Sequence, residues 1–144
     1  MMDAAHNSHD IASTMRQAGT AASKIFGYPL DLDGLFTRCG GNMEFATNLM
    51  SEFQASGPVV FEVMGTQAAG GETAALIESA HSLKGTAGIL GAQEMYRLAA
   101  AIEAAAREGK PEKYSQFMHE LGNEMQRCIA FVSTILDACG EEPV

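Results

Sequence analysis

The chain has 144 residues, of which 47% are hydrophobic, with no tryptophan and only four prolines. This length suffices for one domain with a sizeable core, and the scarcity of strand-favouring residues favours an all-α fold. Eighteen acidic residues against nine basic ones give a formal net charge of −9, and the Lys and Arg residues do not cluster. Nucleic acids and anionic membrane surfaces are therefore not expected as partners, because both are bound through basic patches.

The cysteines and the N-terminal residues indicate the cellular compartment to expect. The cysteines are odd in number and widely spaced, which predicts neither a disulfide framework nor a zinc knuckle (Cys39, Cys128 and Cys139). Residues 1–10 lack the basic start and apolar run of a signal peptide, and no run of about 18 apolar residues could span a bilayer. We therefore expect a cytoplasmic protein.

The first 41 residues carry only weak helical signals. Residues 1–9 are polar, and an irregular apolar stripe over residues 10–26 predicts a marginal helix. The turn-forming stretch "GYPLDLDG" (27–34) predicts a connector. A short helix follows, with an apolar face and an end at a glycine pair (Leu32, Leu35 and Phe36; Gly40-Gly41).

A long helix is predicted from Asn42, a suitable N-cap, to about Ala69. Its apolar residues recur at roughly helical spacing (Phe45, Leu49, Phe53, Val60 and Met64). Pro58 either kinks this helix or splits it after Gly57, and we expect the kink.

Three further helices follow a break at a glycine pair (Gly70-Gly71). They are predicted over residues 72–90, 92–108 and 111–137. Gly91 suits a left-handed cap, and Pro111 suits a first helical turn. Because connections of only a few residues join the long helices, we expect an antiparallel four-helix bundle with an additional N-terminal helical segment.

His81 lies on the outer face of the helix predicted over residues 72–90. The apolar residues of this helix form one stripe (Leu76, Ala80, Leu83, Ala87 and Leu90). At 100° per residue, His81 is roughly 140° from the middle of that stripe. The same face also carries Glu78, Gly85 and Gly88. One flank of that face carries Ile77 and Lys84.

Two glycines on an exposed helix face require an explanation. Glycine in a helix interior costs about 1 kcal/mol relative to alanine. Gly85 and Gly88 point away from the predicted core, so packing within the bundle does not require them. We infer that a partner protein approaches the helix backbone beside the imidazole.

The residue types around His81 indicate one chemistry. An exposed imidazole is a nucleophile that titrates near neutral pH, and a lysine one turn away can neutralise a phosphoryl group. His81, with Lys84 at +3 and Gly85 at +4, therefore predicts a phosphoryl acceptor that another protein serves.

The segment "AHSLKGTAGILGA", followed by "LAAAIEAAAREG", closely resembles the histidine-containing phosphotransfer (HPt) domain family. The resemblance covers about residues 30–136 and implies an antiparallel four-helix bundle over residues 30–139. Residues 1–29 would then be an N-terminal extension, and residues 140–144 a tail.

The resemblance also implies a role for each residue around His81. Nε2 of His81 would exchange a phosphoryl group with the aspartate of a receiver domain, and Lys84 would assist that group. Glu103, 22 residues after His81, would accept a hydrogen bond from Nδ1–H and so leave Nε2 free to attack. The surface that admits and docks the receiver would comprise Ile77, Glu78, Gly85 and Gly88.

The implied partners are receiver domains of response regulators or hybrid histidine kinases. By the same resemblance, the receiver supplies the aspartate, Mg²⁺ and most of the catalysis, and this chain is a phosphoryl carrier with no cofactor or metal of its own. The sequence contains no GxxxxGK[ST] loop, so it does not indicate autonomous kinase activity. We expect a monomer, and the N-terminus slightly favours a free-standing protein over a piece of a hybrid kinase.

Two other functions stay open. A phosphate-independent adaptor would bind a receiver through the same face, with His81 dispensable. A di-metal oxidase would use Glu78 and His81 as a Glu-x-x-His motif, but that chemistry needs a second motif and inward-facing carboxylates. His6 and His9, at i and i+3, could bind a metal, but no third ligand is evident, and His119 has no supporting pattern.

Overall fold

Five helices make up residues 28–139, the part of the chain that the computed structural model describes. They are α1 (Leu32–Arg38), α2 (Met43–Ala69), α3 (Thr73–Leu90), α4 (Gln93–Arg107) and α5 (Pro111–Cys139). No strand occurs within residues 28–139, as the all-α prediction required. The helix predicted over residues 10–26, the pair His6 and His9, and the tail at 140–144 lie outside the described residues.

Helices α2 to α5 form a ring in chain order. Helix α2 packs against α3 and α5, helix α4 packs against the same two, and the diagonal pairs do not meet. Turns of two or three residues join successive helices at 70–72, 91–92 and 108–110, so each helix runs antiparallel to the one before it. The predicted antiparallel four-helix bundle is confirmed, and α1 packs across α2 and α3.

Two of these turns depend on glycine. Gly91 ends α3 with φ of 74°, in the left-handed conformation that a side chain disfavours, and its N–H bonds to the Gly88 carbonyl. Gly109 has φ of 68° and lies in the turn after α4, two residues before Pro111 begins α5. Both residues act at the positions that the sequence predicted.

Helix α2 runs without interruption through Pro58 over 27 residues, so the alternative of a split after Gly57 is wrong. Proline removes one helical hydrogen bond, which packing against the rest of the bundle can offset. Gly57 is buried, and a Cβ atom there would lie 2.9 Å from the Phe53 ring and 3.2 Å from Met125 Sδ on α5. The missing side chain therefore lets α2 and α5 approach closely.

The core contains the apolar stripe predicted on α3, together with buried apolar residues of α4 and α5. On α2 the prediction was partly wrong, because Phe45 is 51% exposed while Ala46 and Met50 are fully buried. Two adjacent rows of α2 are apolar, one through Phe45 and Leu49 and one through Ala46 and Met50, and periodicity alone does not choose between them. The buried row has Ala46, whose side chain is smaller than that of Phe45, where α2 packs against its neighbours.

None of the helices in residues 28–139 has both the length and the apolar character that crossing a bilayer requires.

Candidate functional site

His81 projects from the outer face of α3, as its position on the helix predicted. Its side chain is 66% exposed, while Ala80 and Leu83 beside it are buried in the core. The imidazole is therefore presented to solvent by a helix whose opposite face is fixed by packing. This arrangement gives a nucleophile access to a macromolecular partner without opening the bundle.

Glu103 faces His81 across the seam between α3 and α4. Its Oε2 atom lies 3.1 Å from His81 Nδ1, and the residue as a whole is only 6% exposed. His81 is ten residues before Gly91, and Glu103 is eleven residues after Ala92. The tight turn between the two antiparallel helices therefore places the two side chains next to each other. The spacing of 22 residues is thus a consequence of an antiparallel pair joined by a two-residue turn.

Two basic side chains also bind the Glu103 carboxylate. Lys84 Nζ lies 2.9 Å from Oε1, and Arg107 Nη2 lies 2.9 Å from Oε2, the oxygen that His81 contacts. Lys84 is one turn after His81 on α3, and Arg107 is one turn after Glu103 on α4. Four side chains from two helices therefore form one charged cluster, which we call the His81 cluster (His81, Lys84, Glu103 and Arg107).

The charges of the His81 cluster keep Glu103 ionised. Hydrogen bonds from Lys84, then from Arg107 and His81, lower the pKa of Glu103 from 4.5 to about 2, although burial acts in the opposite direction. An ionised carboxylate can only accept hydrogen bonds, so the proton between Glu103 and His81 belongs to Nδ1. In the neutral imidazole this leaves the lone pair on Nε2, which is the arrangement a nucleophile at that atom needs.

The glycines beside His81 leave open space on α3. A Cβ atom at Gly85 would meet no other group within 4 Å, and one at Gly88 would make only ordinary contact with the Tyr96 ring at 3.7 Å. Neither glycine is therefore required by packing within the described residues. The helix backbone next to the imidazole is open to an approaching surface.

The other residues predicted around His81 differ in their exposure. Ile77 is half-buried and packs against the core, whereas Glu78 is exposed on the turn before His81. Within residues 28–139, no three His, Cys, Asp or Glu side chains come together as a metal ion would require. The Glu-x-x-His pair of Glu78 and His81 therefore has no companion ligands in the described part of the chain.

Arg107 was not predicted as a site residue. The signal was present, because Arg107 follows Glu103 by four residues in "EAAAR", the spacing of an ion pair along one helix face. Such pairs are common on helix surfaces and usually have no functional meaning. Only the tertiary structure shows that this pair includes the carboxylate in contact with His81.

An apolar groove in the described part of the chain is separate from the His81 cluster. It has a volume of about 560 Å³ and lies between α2 and α5, lined by residues that include Pro58, Phe61, Met118, His119 and Ile129. Helices α3 and α4, which carry the His81 cluster, do not line it. His119 is exposed at this groove and belongs to no charged cluster there.

Cys128 does not offer an alternative nucleophile. The three cysteines are free thiols, with Cys39 and Cys128 buried and Cys139 half-buried. Burial, followed by the neighbouring Glu124 carboxylate, raises the pKa of Cys128 to about 12. A thiol with such a pKa is not a nucleophile at neutral pH, because the thiolate is the reactive form.

Comparison with known proteins identifies a protein family. The family model described as "Hpt domain" matches residues 48–131, more than half of the chain, and the match contains His81, Lys84, Glu103 and Arg107. No curated protein matches the chain. No solved structure matches it either. The helical bundle and the family match together show that this chain belongs to the Hpt domain family, whose members have a histidine phosphotransfer role in two-component phosphorelays.

Proposed function

We propose that this chain carries a phosphoryl group on Nε2 of His81 and passes it between the aspartates of receiver domains. The single observation that carries the proposal is the pairing of an exposed imidazole with a buried, ionised carboxylate at Nδ1. This pairing fixes the tautomer in which Nε2 is the nucleophile. An exposed histidine without such a partner would divide its population between two tautomers.

The transfer step that we propose is a displacement at phosphorus. The lone pair of Nε2 attacks the phosphorus of a receiver aspartyl phosphate, an N–P bond forms, and the O–P bond to the aspartate breaks. The aspartate leaves as a carboxylate, and the Nδ1 proton stays on the imidazole, where Glu103 accepts its hydrogen bond. The reverse step returns the phosphoryl group to a second receiver.

Lys84 serves the phosphoryl group in this proposal. Its ammonium lies on the same face of α3 as the imidazole and is 25% exposed, so it can turn part of its hydrogen-bonding capacity toward oxygens bound at Nε2. We assign catalysis by the metal ion, expected to be Mg²⁺, to the receiver. No resident cofactor of this chain enters the step.

The docking surface of the proposal is the open strip of α3 around His81. Gly85 and Gly88 admit the receiver backbone close to the imidazole, and Ile77 and Glu78 border the strip toward the N-terminus of α3. The absence of any internal contact for a side chain at Gly85 supports this assignment, because a glycine there has no function inside the bundle.

The test is phosphoryl acceptance, read by intact-protein mass after incubation with a receiver domain charged by acetyl phosphate. We expect an acid-labile adduct of one phosphoryl group on the wild type and none on His81→Gln. His119→Gln is the matched control, since it removes another exposed histidine, and it should accept as the wild type does. Equal acceptance by His81→Gln would contradict the proposal.

The same experiment distinguishes the adaptor. If the wild type binds receivers but never takes up phosphate, and His81→Gln binds equally well, the chain is a phosphate-independent receiver-binding adaptor. Binding should therefore be measured alongside mass, on the same charged receiver.

A further inference from the structure

Arg107 shares an acceptor atom with the nucleophile. Its Nη2 and His81 Nδ1 both contact Oε2 of Glu103, at 2.9 and 3.1 Å, so the two nitrogens are at most about 6 Å apart. The Arg107 side chain is 60% exposed, but the carboxylate side chain that it binds is only 9% exposed. An ion pair to a buried carboxylate is less screened by water than a pair between two exposed groups.

Lys84 has two tasks that compete. In the structure its ammonium neutralises Oε1 of Glu103, whereas in the proposed transfer it is needed at the oxygens of the phosphoryl group on Nε2. Whenever Lys84 turns toward the phosphoryl group, the buried Glu103 carboxylate loses part of its neutralisation. A buried carboxylate without a cationic partner is costly, so a second cation is required to hold it in place.

We propose that Arg107 is this second cation: a positioning residue that keeps Glu103 neutralised and aimed at His81 Nδ1 while Lys84 serves the phosphoryl group. The inference rests on the proposed function of His81 as phosphoryl acceptor. Arg107 acts through Glu103 and does not touch the reacting atoms. Its side chain binds the same carboxylate oxygen as the imidazole. A displacement of that oxygen would therefore disturb the orientation of His81 directly.

The experiment uses phosphoramidate, a small donor that phosphorylates accessible imidazoles without a receiver. Nε2 attacks its phosphorus, the N–P bond to His81 forms, and ammonia leaves as the donor's own P–N bond breaks. We expect Arg107→Gln to slow the appearance of phosphate on His81 by about three- to tenfold, the effect of one charge-assisted hydrogen bond in a partly exposed site. Arg107→Lys should recover much of the rate because it retains the charge.

Two further comparisons separate this role from a merely structural one. Arg97→Gln is the matched control, because Arg97 is 54% exposed and forms a similar ion pair on α4, but its carboxylate partners are Glu94 and Glu120 instead of Glu103. It should leave the rate unchanged. Glu103→Gln should slow the reaction by itself, and adding Arg107→Gln to it should change the rate by less than about twofold, because the charge that Arg107 neutralises has gone.

Each outcome decides between the claims. If Arg107→Gln reacts as fast as Arg97→Gln, the inference about Arg107 is wrong and the role of His81 stands. If instead Arg107→Gln slows phosphorylation by the same factor in the Glu103→Gln background as in the wild type, Arg107 attracts the donor directly. It then does not act through Glu103, which also overturns the inference. If the wild type takes up no phosphate at His81 while another histidine does, the proposed function itself has failed.

Discussion

Glu103 is the residue around which the His81 cluster is built. Its two carboxylate oxygens receive donors from Lys84, His81 and Arg107, and these contacts span both helices of the α3–α4 pair. Burial alone would favour the neutral acid, but the surrounding donors outweigh it and keep the carboxylate ionised. The same contacts therefore set the tautomer of His81 and the resting position of Lys84.

The low pKa of Glu103 predicts a specific acid sensitivity. Because folding lowers this pKa from 4.5 to about 2, the ionised carboxylate stabilises the folded state at every pH above its unfolded value. That stabilisation is lost as the pH falls through the window between about 4.5 and 2. Thermal unfolding midpoints measured across this window should fall more steeply for the wild type than for Glu103→Gln, which has no group to protonate there.

The control for this prediction is Glu120→Gln. Glu120 is more exposed and pairs with Arg97 at a longer distance of 3.6 Å, so its removal should change the acid profile little. Parallel acid profiles for the wild type and Glu103→Gln would show that the Glu103 contacts do not stabilise the fold.

Part of the His81 cluster could be predicted from the sequence. The pattern of His81, Lys84 and Gly85 predicted the acceptor, and the resemblance to the HPt family implied Glu103 as the partner of its imidazole. The sequence did not indicate that Lys84 is bound to Glu103, or that Arg107 completes the cluster, because side chains on two helices can pair in several ways at the same spacing. The choice among those pairings depends on how closely α4 packs against α3 and on the rotation of α4 about its own axis.

At the scale of single helices, glycines have two opposite functions in this bundle. On α3, Gly85 faces open space, whereas on α2, Gly57 lies where a side chain would collide with Phe53 and Met125. The first leaves a surface accessible, and the second permits close packing of α2 on α5. Substitutions at the two positions should therefore have opposite effects on stability.

Gly85→Gln should keep or slightly raise the free energy of unfolding, because glutamine is the better helix former by several tenths of a kcal/mol. The same change should lower the rate of phosphoryl transfer from a receiver, since the new side chain occupies the space beside the imidazole. Gly65→Gln is the matched control, because Gly65 also has open space and lies in α2, a helix that carries no residue of the His81 cluster. If both variants accept phosphate from the receiver at the wild-type rate, the docking account of Gly85 is wrong.

Gly57→Leu should lower the free energy of unfolding by about 1–3 kcal/mol, the usual cost of overpacking a core, despite the higher helix propensity of leucine. Urea denaturation of the variant and the wild type measures the difference. Gly65→Leu serves as the comparison at an open position of the same helix. Equal stability of the two variants would contradict the close α2–α5 packing described above.

Helix boundaries were more predictable than helix orientation. The glycines that begin or end the turns, and the proline that opens α5, gave the ends of α3, α4 and α5 to within about two residues of those observed. The inward face of α2 was partly mistaken at Phe45, because both adjacent rows of that helix are apolar. Which row turns inward depends on the volume available between α3 and α5, which is a property of the packed bundle.

At the scale of the whole molecule, the ring order of the helices separates two surfaces. The His81 cluster lies on the α3–α4 pair, and the apolar groove lies between α2 and α5 on the other side of the ring. The chain has a net charge of −9, yet two of its nine basic residues converge on the carboxylate beside His81. This local concentration of positive charge would suit the phosphoryl anion that we propose His81 carries.

Relay through the chain is the most direct measurement of the central claim. One receiver domain is charged with radiolabelled phosphate and freed of donor, and a second receiver is added with either the wild type or His81→Gln. We predict that label passes to the second receiver with the wild type, by way of a transient phosphohistidine at residue 81, and stays on the first receiver with His81→Gln. Transfer at equal rates with both proteins, or label that reaches the second receiver without ever occupying His81, would contradict the account.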